Sequence, residues 1–167
     1  MRWKPDVDPC DECGFAWSVS PLEAIAVVAE SPTRIASLID VPERVSKRPA
    51  PGVWSPSEYL WHLVDVLRIG RERLLTVLLD PAAGIPCWDE NDLAKARRYG
   101  LLSPAVGVVA YEDAAMDWVV AANKVDPERS VQHPQYGTLT AADIMRRNAH
   151  EVRHHGMDIR RGIDGPR

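Results

Sequence analysis

Long apolar runs are missing from this sequence of 167 residues. No stretch approaches the roughly 18–20 apolar residues that a helix needs to cross a bilayer, so no membrane span is expected. The first residues, Met1-Arg2-Trp3-Lys4-Pro5-Asp6, are polar and lack an apolar core, so no secretory signal is expected either. Cysteine is scarce. Three residues, an odd number, make no disulfide framework, and a reducing cytoplasm is the simplest compartment. Basic clusters are also absent: 20 Lys and Arg stand against 24 Asp and Glu, for a net charge of -4, so a nucleic-acid groove is not expected. No internal repeat and no convincing strand alternation is visible. With 46% hydrophobic residues, the chain has apolar mass for one core and reads as a single soluble domain.

What is present is helical periodicity. Residues 1–19 form an irregular N-terminal arm around Cys10-Asp11-Glu12-Cys13-Gly14-Phe15, and the bundle domain spans residues 20–167. From Pro21, Leu22, Ile25, Val28, Ile35 and Leu38 recur at three- and four-residue steps, with Pro32 kinking or restarting the run. A polar, Pro-rich connection covers Val41 to Val53. Ser55-Pro56-Ser57-Glu58 then offers a capping Ser, a Pro at the first helical position and a Glu at the third, opening a helix to Leu79. Residues 80–102 are a long connection with a short helix over Asp92–Tyr99. Ser103-Pro104 starts a third long helix, and Thr140 caps a fourth that ends near Gly162. Ser130–Thr138 reads as a loop. The fold expected is an all-α four-helix bundle.

The last helix carries His150-Glu151-Val152-Arg153-His154-His155. Residues four apart lie about 40° apart around a helix, so the imidazoles of His150 and His154 can share one metal ion. Placed at about 100° per residue, they lie roughly opposite the stripe of Ile144, Val152, Ile159 and Ile163. His62, at the edge of the apolar arc of the second helix, offers a third imidazole. Such a site would keep coordination positions open for water or substrate. Asp65 and Asp158, each a turn from a histidine, are expected to orient ligands from outside.

Trp54-Ser55-Pro56-Ser57-Glu58-Tyr59-Leu60-Trp61-His62-Leu63-Val64-Asp65 resembles the W-S-x-x-E-x-x-x-H-L-x-D signature of the DinB/YfiT-like superfamily. Tyr136-Gly137-Thr138-Leu139-Thr140 is similar to that family's lead-in to its last helix, and His150 to Ile159 to its H-x3-H-H-x-x-x-I segment. The resemblance covers roughly Pro21 to Ile163. It implies a four-helix bundle in which His62, His150 and His154 bind one divalent metal, and it also implies a homodimer. Members include thiol S-transferases using mycothiol or bacillithiol, a mycothiol-dependent isomerase and predicted metal-dependent hydrolases. Where many members carry Gln before the terminal Ile segment, this chain has Met157-Asp158, which puts a shared substrate contact in doubt.

His150-Glu151-Val152-Arg153-His154 is also a literal H-E-x-x-H, in which Glu151 would be the general base of a zinc protease. The downstream Gly and third ligand of one protease class fall on Met157 and Arg160, and no Glu follows Glu151, so the protease reading is set aside. Cys10 and Cys13 form a C-x2-C, half of a zinc knuckle or a redox pair, which Cys87 and His133 could complete although nothing in the spacing requires it. Gly14 and Phe15 resemble a knuckle turn. Trp88 and Asp89 are expected to wall a pocket, Trp61 to pack or line it, and His155 to pack in part against the core.

The reading is therefore a metal-dependent enzyme acting on a small molecule. In the favoured version a low-molecular-weight thiol such as mycothiol attacks a small electrophile, with Glu151 able to move protons. A hydrolase of the same superfamily or a non-catalytic metal-binding protein are the alternatives. Zinc, nickel or iron suits three imidazoles, with zinc and nickel favoured.

Overall fold

The computed structural model describes residues 7–40 and 42–165; residues 1–6, which begin the expected arm and carry the expected lack of a signal, lie outside the described residues. Seven helices are α1 (Pro21–Ala29), α2 (Ser31–Ile39), α3 (Pro42–Val45), α4 (Pro56–Leu79), α5 (Glu90–Arg97), α6 (Pro104–Ala122) and α7 (Ala141–Asp164). The interrupted pair α1–α2 is the first limb of a four-helix bundle, and α4, α6 and α7 are the others. α4 packs on α6 and α7, α1 on α7, and α2 on α6. Among the described residues no helix is long and apolar enough to cross a membrane.

The helix starts follow local chemistry. Ser20, Ser55 and Thr140 each accept from the backbone three residues on, while Glu23, Glu58 and Asp143 reach back to the cap N–H. Each reciprocal pair satisfies two donors that a helix otherwise leaves open. Glu58 is also gripped by the Arg48 guanidinium at 2.6 and 2.8 Å. Pro32 sits in the first turn of α2, where its missing N–H costs nothing, so the first limb breaks at Glu30 and restarts.

Two close approaches set how α4 meets its neighbours. A Cβ on Gly70 would lie 2.2 Å from Asn148 Oδ1, so only glycine lets α7 bring Asn148 in; that oxygen accepts from Trp118 Nε1 at 2.9 Å. A Cβ on Gly107 would lie 2.8 Å from Leu60, which lets α6 sit close to α4.

One expectation needs correction. Ser130–Thr138 is not a loop: β1 (Ser130–His133) and β2 (Gly137–Thr140) form an antiparallel hairpin, with Val131 facing Leu139 and both buried. Gly137 has φ +72° and closes the turn where a side chain would be strained. His150, placed by the sequence opposite the core stripe, is buried at 7% exposure against a second packing surface. Its cover is the N-terminal arm, which lies along α7. Phe15 and Trp17 are buried there, with ring centroids 5.6 and 4.6 Å from the His150 ring. Arg146 donates to Val19 O at 2.8 Å and Arg153 to Cys13 O at 2.9 Å, tying the arm to the helix.

Candidate metal centre

The turn from His150 to His155 carries two interleaved pairs. His150 and His154 face the arm; Glu151 and His155, about 100° further round the helix, face α4. The structure accordingly divides the ligand set expected from sequence. The ring nitrogens of His62, His150 and His154 do not gather within 4.8 Å of one another; instead His62 groups with Glu151 and His155, and His150 and His154 group with Cys10 and Cys13. A helix cannot turn both pairs towards α4, and the α4–α7 packing selects the second. His155, read as a packing residue, thus belongs to the cluster that faces α4. The sequence clue was the i, i+4 spacing of Glu151 and His155, overshadowed by the neighbouring histidine pair.

His155 Nε2 lies 3.0 Å and His62 Nε2 3.5 Å from Glu151 Oε2. Zinc bonds of about 2.0–2.2 Å place tetrahedral N and O donors roughly 3.3–3.6 Å apart, so these spacings fit one ion. The other carboxylate oxygen, Oε1, takes the Arg147 guanidinium at 2.7 Å, which leaves Oε2 turned to the imidazoles. Asp158 lies 2.9 Å from His155 Nδ1, so it can hold the tautomer whose Nε2 lone pair points into the cluster. Asp158 was expected to serve the histidine pair; His154 Nε2 is further from it, at 3.8 Å.

Electrostatics follow from this packing. Burial opposes charge on Glu151, yet the imidazoles around it and Arg147 hold its carboxyl well below the usual range. Burial also opposes charge on His155, but Asp158 and Glu151 outweigh it and push the imidazole up to about 9. His62 moves the other way, because burial outweighs the pull of Glu151. A carboxylate between two imidazoles is a donor set that a divalent cation can take over from a proton.

The cluster floors a cavity of about 520 Å³ between α4, α7, the hairpin and the connection before α5. Trp88 stacks over His62 at 5.9 Å, Trp54 lies 5.2 Å from it, and Tyr59 stacks on His155 at 5.1 Å. Arg73, Arg147 and Glu90 add charge to the lining. Trp88 and Asp89 do line the cavity as expected, although Asp89 spends an oxygen capping α5 through Asn91 N and Asp92 N at 2.9 Å. Trp54, noted in the sequence only as the start of the W-S-x-x-E signature, and Glu90, an acid in a connection with no pattern of its own, were not expected in the lining. Trp61 is buried and packs beneath Arg97 rather than lining the cavity. Asp65 does not orient a ligand either: Arg97 and the Tyr99 hydroxyl take its two oxygens. Cys87 is exposed on the rim, 3.9 Å from His133 Nε2, and neither joins Cys10 and Cys13.

Residues 31–159 match the sequence profile of the DinB superfamily. Among curated proteins no match is found. The fold is similar to YfiT from Bacillus subtilis, described as a probable metal-dependent hydrolase with an unusual four-helix bundle topology. The TM-score is 0.74 at 16% identity, covering 99% of this chain and 95% of that one. TT2238, described as a four-helix bundle protein, aligns with a TM-score of 0.59 at 21% identity over 83% of this chain and 97% of its own. Identities this low speak for the shared fold.

Proposed function

Since the chain belongs to the DinB superfamily, we propose that it is a metal-dependent enzyme whose catalytic divalent ion is held by His62, Glu151 and His155. One observation carries this reading: two imidazoles and a carboxylate converge on the floor of a cavity large enough for a small molecule. Three protein donors would leave coordination positions open to water or substrate. A bound cation supplies Lewis acidity, polarising a substrate oxygen or sulfur and easing deprotonation of a water or thiol.

The chain's own groups do the rest. Arg147 fixes the Glu151 carboxylate, Asp158 fixes the His155 ring, and Trp54, Trp88 and Tyr59 present apolar faces to the organic part of a substrate. Glu90 lines the same cavity and is the carboxylate that would accept a proton.

The donor set favours hydrolysis of a small substrate. Two histidines and a glutamate are a hydrolytic set, and the description of YfiT as a probable metal-dependent hydrolase points the same way. Transfer of a low-molecular-weight thiol to an electrophile is the second reading, favoured by a volume that admits a thiol and an acceptor together. Titration of the cobalt-loaded protein with acetohydroxamate or a simple thiol tests the site. A visible spectrum that shifts on addition, with the cavity metal and the shift both lost in His62→Ala, supports an open catalytic centre. A cavity that takes no metal, or a spectrum indifferent to both ligands, refutes it. Metal-dependent turnover of small esters and amides, against turnover requiring an added thiol, then separates the two reactions.

A further inference from the structure

A second cluster lies outside the cavity, where the arm crosses α7. The donor atoms of Cys10, Cys13, His150 and His154 all stand within 4.8 Å of one another. We propose that these four side chains form a closed, tetrahedral zinc site that fastens the N-terminal arm to the last helix.

Three independent features meet here. The first is the backbone of the arm: Gly14 N donates to Cys10 O at 2.8 Å and Cys10 N to Phe15 O at 2.9 Å. Gly14 takes φ +66°, so the chain folds tightly back between the two cysteines and Phe15. This turn brings two sulfurs, separated by two intervening residues, to one side, the arrangement a zinc knuckle needs. The second is His150. It is 7% exposed, and neither of its ring nitrogens has a hydrogen-bond partner; the nearest carboxylate oxygen, of Glu151, is 3.9 Å from Nδ1. A buried imidazole with both nitrogens unmet costs free energy unless another ligand meets it. The third is His154, which turns Nδ1 to Cys10 Sγ at 3.9 Å and Nε2 to Asp158 at 3.8 Å. One nitrogen thus faces the site while the other faces a carboxylate, as in metal-bound histidines.

Zinc bonds of about 2.3 Å to sulfur and 2.0 Å to nitrogen put adjacent S and N donors roughly 3.5 Å apart, close to the 3.9 Å between Cys10 Sγ and His154 Nδ1. Both cysteines are free thiols. Two thiolates and two imidazoles complete a four-coordinate shell with no position left for substrate, so this centre is structural. None of the four residues lines the cavity, and the proposal does not depend on the cavity's function.

Cobalt(II) added to the reduced, metal-free full chain tests the site. Thiolate-to-cobalt charge transfer absorbs strongly in the near ultraviolet, and the His62, Glu151 and His155 set contains no sulfur to produce it. The expected result is a thiolate band saturating at one cobalt per chain, unchanged in His62→Ala, lost in the Cys10→Ser/Cys13→Ser double variant and strengthened in His150→Cys. Absence of the band from cobalt-saturated wild type, or its persistence in the double variant, overturns the proposal. The wild-type spectrum decides the matter even where a variant fails to fold. Failure of the cavity reading would show separately, as metal content insensitive to His62→Ala.

Discussion

Replacing His155 with Ala discriminates most sharply between the ligand set proposed here and the one expected from sequence. The substitution removes the Nε2 that stands 3.0 Å from Glu151 and the ring stacked on Tyr59, and strands the Asp158 carboxylate that orients it. Losing an orienting carboxylate alone costs about 10–100-fold in metal affinity. Losing the ligand itself must exceed the upper end, so Kd should rise more than about 100-fold, or ~2.7 kcal/mol. The measurement is competition against a chromophoric chelator. It is made in the Cys10→Ser/Cys13→Ser background so that only the cavity ion is counted. His154→Ala in the same background is the control: its neighbour in sequence faces the arm, and cavity affinity should not change. If His154→Ala strips the cavity ion while His155→Ala leaves it bound, the assignment of α7's faces is wrong, and the set of His62, His150 and His154 is restored.

Three further outcomes follow from the packing. Gly70→Ala gains helix propensity but drives a methyl into Asn148, 2.2 Å away, and overpacking of this kind costs about 1–3 kcal/mol; thermal melting should fall by several degrees, and an unchanged or raised Tm would contradict the close approach. Asp65→Asn should lower stability by roughly 1–3 kcal/mol in urea denaturation through its weakened contacts with Arg97 and Tyr99, while metal affinity is unchanged; a loss of metal would return Asp65 to the site. Glu58 is depressed because Arg48 and the Ser55 cap outweigh burial, so its stabilisation is complete above the ordinary carboxylate range and is lost as pH falls through its lower folded value. Glu58→Gln should therefore melt below wild type at pH 7, with the two converging in strong acid; a gap independent of pH would show that charge is not the cause.

The bundle was legible in the sequence because its signals are local. Ser55 with Glu58, the Pro at position 32 and the Thr140 cap act within a turn of the residues that carry them, and they mark helix starts whatever the rest of the chain does. The hairpin was not legible: each strand has only four residues, and its burial comes from covering the bundle, not from an alternation readable in Ser130–Thr138. The site was half legible. His62 and the turn of α7 that it meets were both singled out from sequence, but choosing between two pairs offset by one residue requires knowing how α7 is rotated against α4. That rotation depends on contacts such as Gly70 with Asn148, distant in sequence. What covers His150 was not legible for the same reason: that surface arrives from residues 15 and 17.

Cys10 and His154 are 144 residues apart, nearly the whole chain. A cross-link between them would close almost the largest loop this chain permits, and loop entropy makes such closures the most consequential for the unfolded ensemble. By the relation for covalent cross-links, a loop of this size corresponds to about 5 kcal/mol at most, comparable to the net stability of a small domain. Unlike a disulfide, a metal clasp is reversible at neutral pH, and its contribution grows with the logarithm of free ion concentration. The folding equilibrium of this protein would then read the zinc supply of its surroundings, with the arm as the part that lets go first.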